Sequence, residues 1–193
     1  MKLLVISRHG ESTLNIERRV NGDPAVPVTL TGKGRDEAKL LGEQLAHVPL
    51  DLCIHTQFSR TRETAEIALR GREVPRLEEP LLGDIKIGEL EGKTLDDYRA
   101  APAHTNRKER FPGGESLDEA ALRYAGAFER LLGRNEAVTL VVCHEIPVRY
   151  LANAAAGGEE LNGPLKFVAN ADPYLFDETS LQRAVERIRE LAG

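Results

Sequence analysis

The sequence predicts a single α/β domain over residues 1–193, a doubly wound and mostly parallel central sheet with helices on both faces. Three observations point to it. Short apolar runs alternate with segments whose apolar residues recur at helical spacing. Val138–Val142 is a continuous apolar run, the pattern of a strand covered on both faces. Arg8-His9-Gly10-Glu11-Ser12 and His144-Glu145 each follow such a run after one intervening residue, and open α/β sheets gather functional groups at the carboxyl ends of their strands.

Taken in order, residues 3–7 read as the first strand. From Thr31 to about Ala46, Ala38, Leu41 and Leu45 follow helical spacing, with Thr31 as N-cap. Leu52-Cys53-Ile54 is a short strand. Arg60 to Leu69 is a helix with Ala65, Ala68 and Leu69 as its apolar stripe. Val74 to Leu77 is a further short strand, weakened by Pro75. Residues 93–114 hold Pro102, Pro112 and Gly113-Gly114 and read as an irregular excursion, long enough to be a candidate lid loop. Ser116-Leu117-Asp118-Glu119 has the form of a capping box opening a helix to about Leu132, with Leu117, Ala121, Tyr124 and Phe128 inward. Pro147 to Ala156 and Leu181 to Leu191 read as helices, and Leu165–Val168 and Tyr174–Phe176 as edge strands.

Composition narrows the function. The chain is 41% hydrophobic and 30% charged with a formal net charge of −5, which argues against nucleic acid or an anionic membrane as the main partner. No window reaches the ~20 apolar residues of a membrane-spanning helix, and no signal peptide is visible, so a cytoplasmic location is expected. The two cysteines, Cys53 and Cys143, lie in or beside apolar runs and read as small buried hydrophobes in a reducing compartment.

Four segments carry chemistry. Arg8 through Asn15 sets a guanidinium beside an imidazole. An arginine offers a planar fork of donors to phosphate oxygens, and a neutral histidine offers a lone pair that can attack or accept a proton. Ser59 to Ala65 places Arg60 at the start of a helix, where anions are favoured. Leu82 to Gly92 supplies carboxylates, and Val142-Cys143-His144-Glu145 a second histidine at a strand end.

In order and spacing these segments closely resemble the histidine phosphatase superfamily, the phosphoglycerate mutase-like fold. The motifs are Arg8-His9-Gly10-Glu11-Ser12 with Asn15, Leu30-Thr31-x-x-Gly34, Arg60 with Thr64-Ala65, Gly88-x-x-Glu91-Gly92, Pro112-Gly113-Gly114-Glu115-Ser116, and His144 after a buried strand. The resemblance runs from residue 3 to about 156 and fades beyond about Gly163. It implies that His9 is the catalytic nucleophile, carrying a phosphohistidine. It implies that Arg8, Arg60 and His144 hold the phosphoryl oxygens, that Asn15 and Gly22 line the phosphate pocket, and that Asp84 donates and accepts the proton. Glu89 and Glu91 stay open as alternative donors. Two positions depart from the pattern. The donor in most close relatives is Glu, and here it is Asp. The second histidine is usually followed by two glycines, and here by Glu145-Ile146, where Glu145 either points away or orients His144.

The expected activity is therefore a phosphatase acting on small phosphorylated metabolites without metal or other cofactor. Phosphoglycerate mutase-type transfer is the runner-up. A non-catalytic phosphate-binding module and a metal site built from two histidines and a carboxylate are the readings of another class. Arg62, His47, His55 and His104 read as non-catalytic, while Arg107, Lys108 and Arg110 are candidates to meet an anionic substrate. A homodimer is left open.

Overall fold

The computed structural model describes residues 1–193. Its centre is a five-stranded sheet, β1 (Leu3–Arg8), β2 (Leu52–His55), β3 (Arg76–Glu78), β4 (Val138–Cys143) and β5 (Pro173–Asp177). The order is β3-β2-β4-β1-β5, parallel throughout except for β5, which runs antiparallel to β1.

Alternation along the strands sends side chains to two cores. Leu4, Ile6, Leu52, Ile54, Val141 and Cys143 face one cluster, and Val5, Cys53, Leu140 and Val142 the other. The first core is closed by α5 (Leu117–Leu132), α6 (Glu145–Ala155) and α7 (Glu178–Ala192), the second by α2 (Gly32–Gln44) and α3 (Ser59–Ala68). Helices thus cover both faces. Tyr124 and Phe128 of α5 are fully buried, and Phe128 contributes roughly 1.5–3 kcal/mol by its removal from water.

Local signals match these elements. The Thr31 side chain accepts from Gly34 N at 2.9 Å and caps α2. Ser116 and Glu119 form the reciprocal bonds of a capping box, at 2.7 and 3.0 Å. A short α1 (Thr13–Ile16) follows β1.

The structure corrects several expectations. Residues 93–114 contain α4 (Leu95–Ala100) and a 3-10 turn over Pro102–His104. Thr94 and Asp97 cap α4 reciprocally, a local interaction strong enough to form a short helix that buries no residue of its own. β3 begins only after Pro75, whose ring has no N–H to give the ladder although its carbonyl accepts from Cys53 N at 2.8 Å. α6 begins at Glu145, two residues before Pro147, with His144 as its N-cap residue. Residues 165–168 are not a strand. β5 takes the edge of β1, and the carbonyl of Val168 instead accepts from Arg8 Nη1 at 2.9 Å. No helix is long and apolar enough to cross a membrane.

Candidate active site

β1 and β4 lie side by side in register, Arg8 opposite Cys143, so their carboxyl ends deliver Arg8, His9 and His144 to one place. The His9 amide donates to Cys143 O at 3.0 Å. His9 is 3% exposed, and its Nδ1 lies 2.7 Å from the carbonyl oxygen of Gly10. A carbonyl only accepts, so Nδ1 carries the hydrogen and Nε2 the lone pair. Arg60 Nε donates to that Nε2 at 3.1 Å. The turn is tight because Gly10 packs on Gly34: a Cβ on either would run into the backbone of the facing segment. This contact explains the Leu30-Thr31-x-x-Gly34 signature.

Arg60 organises the site. It is 4% exposed, lies in the first turn of α3, and stacks on the Phe58 ring at 4.4 Å. Besides His9 it donates to Asn21 Oδ1 at 2.5 Å, Asp84 Oδ2 at 3.1 Å and His144 Nδ1 at 3.2 Å. One turn on, Thr64 Oγ1 donates to Arg60 O at 2.7 Å and accepts the Gly10 amide at 3.0 Å. The spacing from Arg60 to Thr64 thus ties the helix to the His9 turn.

His144 is fully buried, with Nδ1 3.3 Å from Asp84 Oδ2 and Nε2 3.0 Å from Thr56 Oγ1. Thr56 Oγ1 in turn lies 2.9 Å from Thr61 Oγ1. Burial, and then the positive charge of Arg60, hold both histidines well below the ordinary imidazole value, so both are neutral at pH 7. Asp84 moves the other way: burial raises its carboxyl, against the lowering pull of Arg60.

Of the three acidic candidates only Asp84 lines the cavity. Glu91 accepts from Asn21 Nδ2, Gly22 N and Asp23 N at 2.6, 2.7 and 3.0 Å, which makes it the anchor of the 21–23 turn. Glu89 is exposed at the surface. Gly22 sits behind the wall, its amide on Glu91, and Asn21 lines the cavity in its place. Asn15 does line it, with Oδ1 accepting from Ser12 N at 3.0 Å.

Glu145 does neither of the two things expected of it. Its carboxylate bridges two arginines, Arg8 Nη1 at 3.1 Å and Arg149 Nη1 at 2.9 Å, the latter one helical turn on. Arg107, Lys108 and Arg110 turn away from the cavity: Arg107 pairs with Asp118, Lys108 donates to Gly193 O and Arg110 pairs with Glu119. Sequence reasoning missed Asn21, Thr56, Arg149 and Asn170, whose Nδ2 donates to His9 O at 2.8 Å. Only Arg149 left a trace, as the i,i+4 partner of an anomalous Glu145.

The cavity over these groups is about 660 Å³. A metal does not fit between His9, His144 and Asp84, because the Arg60 guanidinium already bonds all three. The arrangement offers a neutral nucleophile, fixed cations and one adjustable carboxylate, the requirements for moving a phosphoryl group.

Comparison with known proteins agrees. A 2,3-bisphosphoglycerate-dependent phosphoglycerate mutase from Gloeobacter violaceus is 37% identical over 133 residues, 64% of this chain and 60% of the relative's own length. The structure of Bacillus stearothermophilus YhfR superposes with a TM-score of 0.79 at 29% identity, covering 91% of this chain and 90% of that one. That of a putative alpha-ribazole-5'-P phosphatase from Escherichia coli gives 0.79 at 24% identity with the same coverage, a likeness of fold. The sequence profile of the histidine phosphatase superfamily, branch 1, matches residues 4–190, extending through β5 and α7, beyond where the motifs fade. The chain is an enzyme of the histidine phosphatase superfamily, branch 1.

Proposed function

We propose that the protein hydrolyses small phosphomonoesters through a phosphohistidine on His9. The observation that carries this reading is the fixed tautomer of His9, with Nδ1–H on the Gly10 carbonyl and the Nε2 lone pair under the Arg60 guanidinium. An incoming phosphoryl group takes over donors of Arg8 and Arg60. The Nε2 lone pair then attacks phosphorus, the P–O ester bond breaks, and the departing oxygen takes its proton from Asp84. In the second half the Asp84 carboxylate removes a proton from water. The water oxygen bonds to phosphorus, the P–N bond breaks, and its electron pair returns to Nε2. Asp84 can serve both halves because burial lifts its carboxyl toward the range where it holds a proton.

Incubation with p-nitrophenyl phosphate and a panel of sugar phosphates, with and without EDTA, tests the activity. A ³²P-labelled substrate quenched at alkaline pH tests the intermediate, since a phosphohistidine survives base. Expected are EDTA-insensitive turnover and label on the wild-type chain but not on His9→Ala. No turnover, or label retained without His9, overturns the reading.

Phosphoglycerate mutase-type transfer is the second reading, favoured by the name of the Gloeobacter relative. It predicts exchange of label between phosphoglycerate isomers faster than release of inorganic phosphate. The two cysteines are buried and unpaired, which supports a reducing compartment such as the cytoplasm.

A further inference from the structure

The hydrogens around His144 are fixed by their neighbours. Thr61 Oγ1 lies 2.8 Å from the carbonyl oxygen of Phe58 and 3.2 Å from that of Thr56. Carbonyls only accept, so the one hydroxyl hydrogen of Thr61 is committed to them. Its lone pairs are left for the Thr56 amide, at 3.2 Å, and for the Thr56 hydroxyl, at 2.9 Å. Thr56 therefore donates to Thr61. Toward His144 Nε2, 3.0 Å away, the Thr56 oxygen has only a lone pair, so Nε2 carries the ring hydrogen. The other side of the ring agrees independently. Arg60 Nη2 lies 3.2 Å from Nδ1, and a guanidinium has no lone pair to offer, so Nδ1 accepts.

One contact then lacks a hydrogen. Arg60 Nη2 bears two, and three acceptors surround it: Asp84 Oδ2 at 3.1 Å, His144 Nδ1 at 3.2 Å and the Asn21 carbonyl at 3.3 Å. Asp84 Oδ2 and His144 Nδ1 stand 3.3 Å from each other, two lone pairs face to face unless a proton lies between them.

We propose that Thr61, acting through Thr56, fixes the tautomer of His144, so that Nδ1 accepts a hydrogen bond from the Asp84 carboxyl and holds there the proton that the leaving group receives. Both threonines are positioning residues. The role in turnover rests on the hydrolytic reading above, whereas the tautomer does not. A hydrogen bond made only by the protonated form favours that form, so Nδ1 keeps the proton on Asp84. When the P–O ester bond breaks, the proton passes from Asp84 to the departing oxygen, and a carboxylate remains opposite the Nδ1 lone pair. Their repulsion favours the return step, in which the carboxylate takes a proton from water as the water oxygen bonds to phosphorus. The opposite tautomer, with Nδ1–H on the carboxylate, would stabilise the ionised acid and leave less of it protonated at neutral pH. Asp84 and His144 are also faced by Arg8 and His9 at the end of β1, Arg60 of α3, Arg123 and Tyr124 of α5 and Tyr98 of α4, while Glu145 beside His144 is held by Arg8 and Arg149. None of these bonds Nε2, where the threonines act.

Ring ¹⁵N spectra and pH profiles test this together. With the histidines labelled, the His144 ring is recognised by its loss in His144→Gln, and the ¹⁵N shifts tell a protonated nitrogen from a lone pair. Expected in the wild-type chain at pH 7 are a protonated Nε2 and an accepting Nδ1. Thr61 makes no bond to His144, yet Thr61→Ala frees the Thr56 hydroxyl to donate to Nε2, so the ring hydrogen should move to Nδ1. Thr56→Val should move it too, by leaving an Nε2–H without an acceptor, and Thr56→Ser should restore the wild-type ring. In Thr61→Ala and Thr56→Val the alkaline limb of kcat/KM for propyl phosphate should move to lower pH by about one unit, because Asp84 then holds its proton less firmly. A protonated Nδ1 in the wild-type chain overturns the proposal. So does a hydrogen that stays on Nε2 in both variants, or a loss of rate that is equal at every pH in both. Should no ester be hydrolysed, the hydrolytic reading fails on its own. The ring spectra then decide the tautomer alone: a hydrogen on Nε2 that moves in Thr61→Ala supports it, and a hydrogen on Nδ1 from the start overturns it.

Discussion

The floor and the rim of the cavity are built on opposite principles. On the floor, His9, Arg60 and His144 are 3%, 4% and 0% exposed, and each is held by at least two partners at strand or helix ends. On the rim, Arg99 and Lys166 stand free, Phe167 is 64% exposed, and α4 buries none of its residues. Fixed dipoles and charges that need no reorganisation are what a chemical step requires. Adaptable side chains on short elements are what recognition of a variable substrate tail requires. On the proposed function, chemistry and selectivity would reside in separate parts of one cavity, joined through Glu145.

The sharpest way to break this contrast is at Asp84. Asp84→Asn should lower kcat on alkyl phosphates by roughly 10²–10⁴-fold, the usual worth of a positioned acid. The loss should be about tenfold smaller on p-nitrophenyl phosphate, whose leaving group needs little help. Equal losses on both would mean that Asp84 acts only through the position of Arg60. Arg60→Lys comes next. It keeps the charge but cannot reach His9, Asn21, Asp84 and His144 together, so kcat should fall about 10²–10³-fold, the range for removing a preorganised donor.

Gly34→Ala tests whether the floor is as tightly packed as it is drawn. The new methyl meets the backbone of Glu11, so a loss of about 1–3 kcal/mol in chemical denaturation is expected. Gly32→Ala, two residues away in open space, should be neutral or slightly stabilising. Acid adds a further measure. His9 and His144 titrate lower in the folded chain than the ~6.5 of an unfolded histidine. Below that pH the unfolded chain therefore binds the extra protons. Stability present above about pH 6.5 should fall with acidification, by up to about 1.4 kcal/mol per pH unit for each imidazole. His144→Gln should make the slope of unfolding free energy against pH shallower. The smallest effect belongs to the rim: Phe167→Ala should change stability by less than about 0.5 kcal/mol.

The floor was legible in the sequence because strand ends put reactive groups next to apolar runs that cannot be mistaken. Leu3–Ile6 and Val138–Val142 announced where Arg8, His9 and His144 would meet. Asp84 was reached by resemblance and separated from Glu89 and Glu91 only by the fold, since three carboxylates within eight residues look alike until their partners are seen. The rim was harder. α4 was masked by Pro102 and by a charged stretch without an apolar stripe, although Thr94-x-x-Asp97 held its capping signal. Residues 165–168 carry a strand-like apolar composition, but the edge they would need belongs to β5. Thr56 and Asn170 act through contacts 88 and 161 residues apart in the chain, which no local pattern encodes.

One joint ties two distant stretches of the chain together. Val168 accepts from the Arg8 guanidinium, Asn170 grips the His9 carbonyl, and the Ala171 amide donates to Arg8 O at 3.0 Å. The Arg8-His9 pair is thus clasped by a segment some 160 residues further along the chain. Loosening residues 168–171 would release the guanidinium and the turn together, so a substitution there is felt at a pair it never neighbours in sequence.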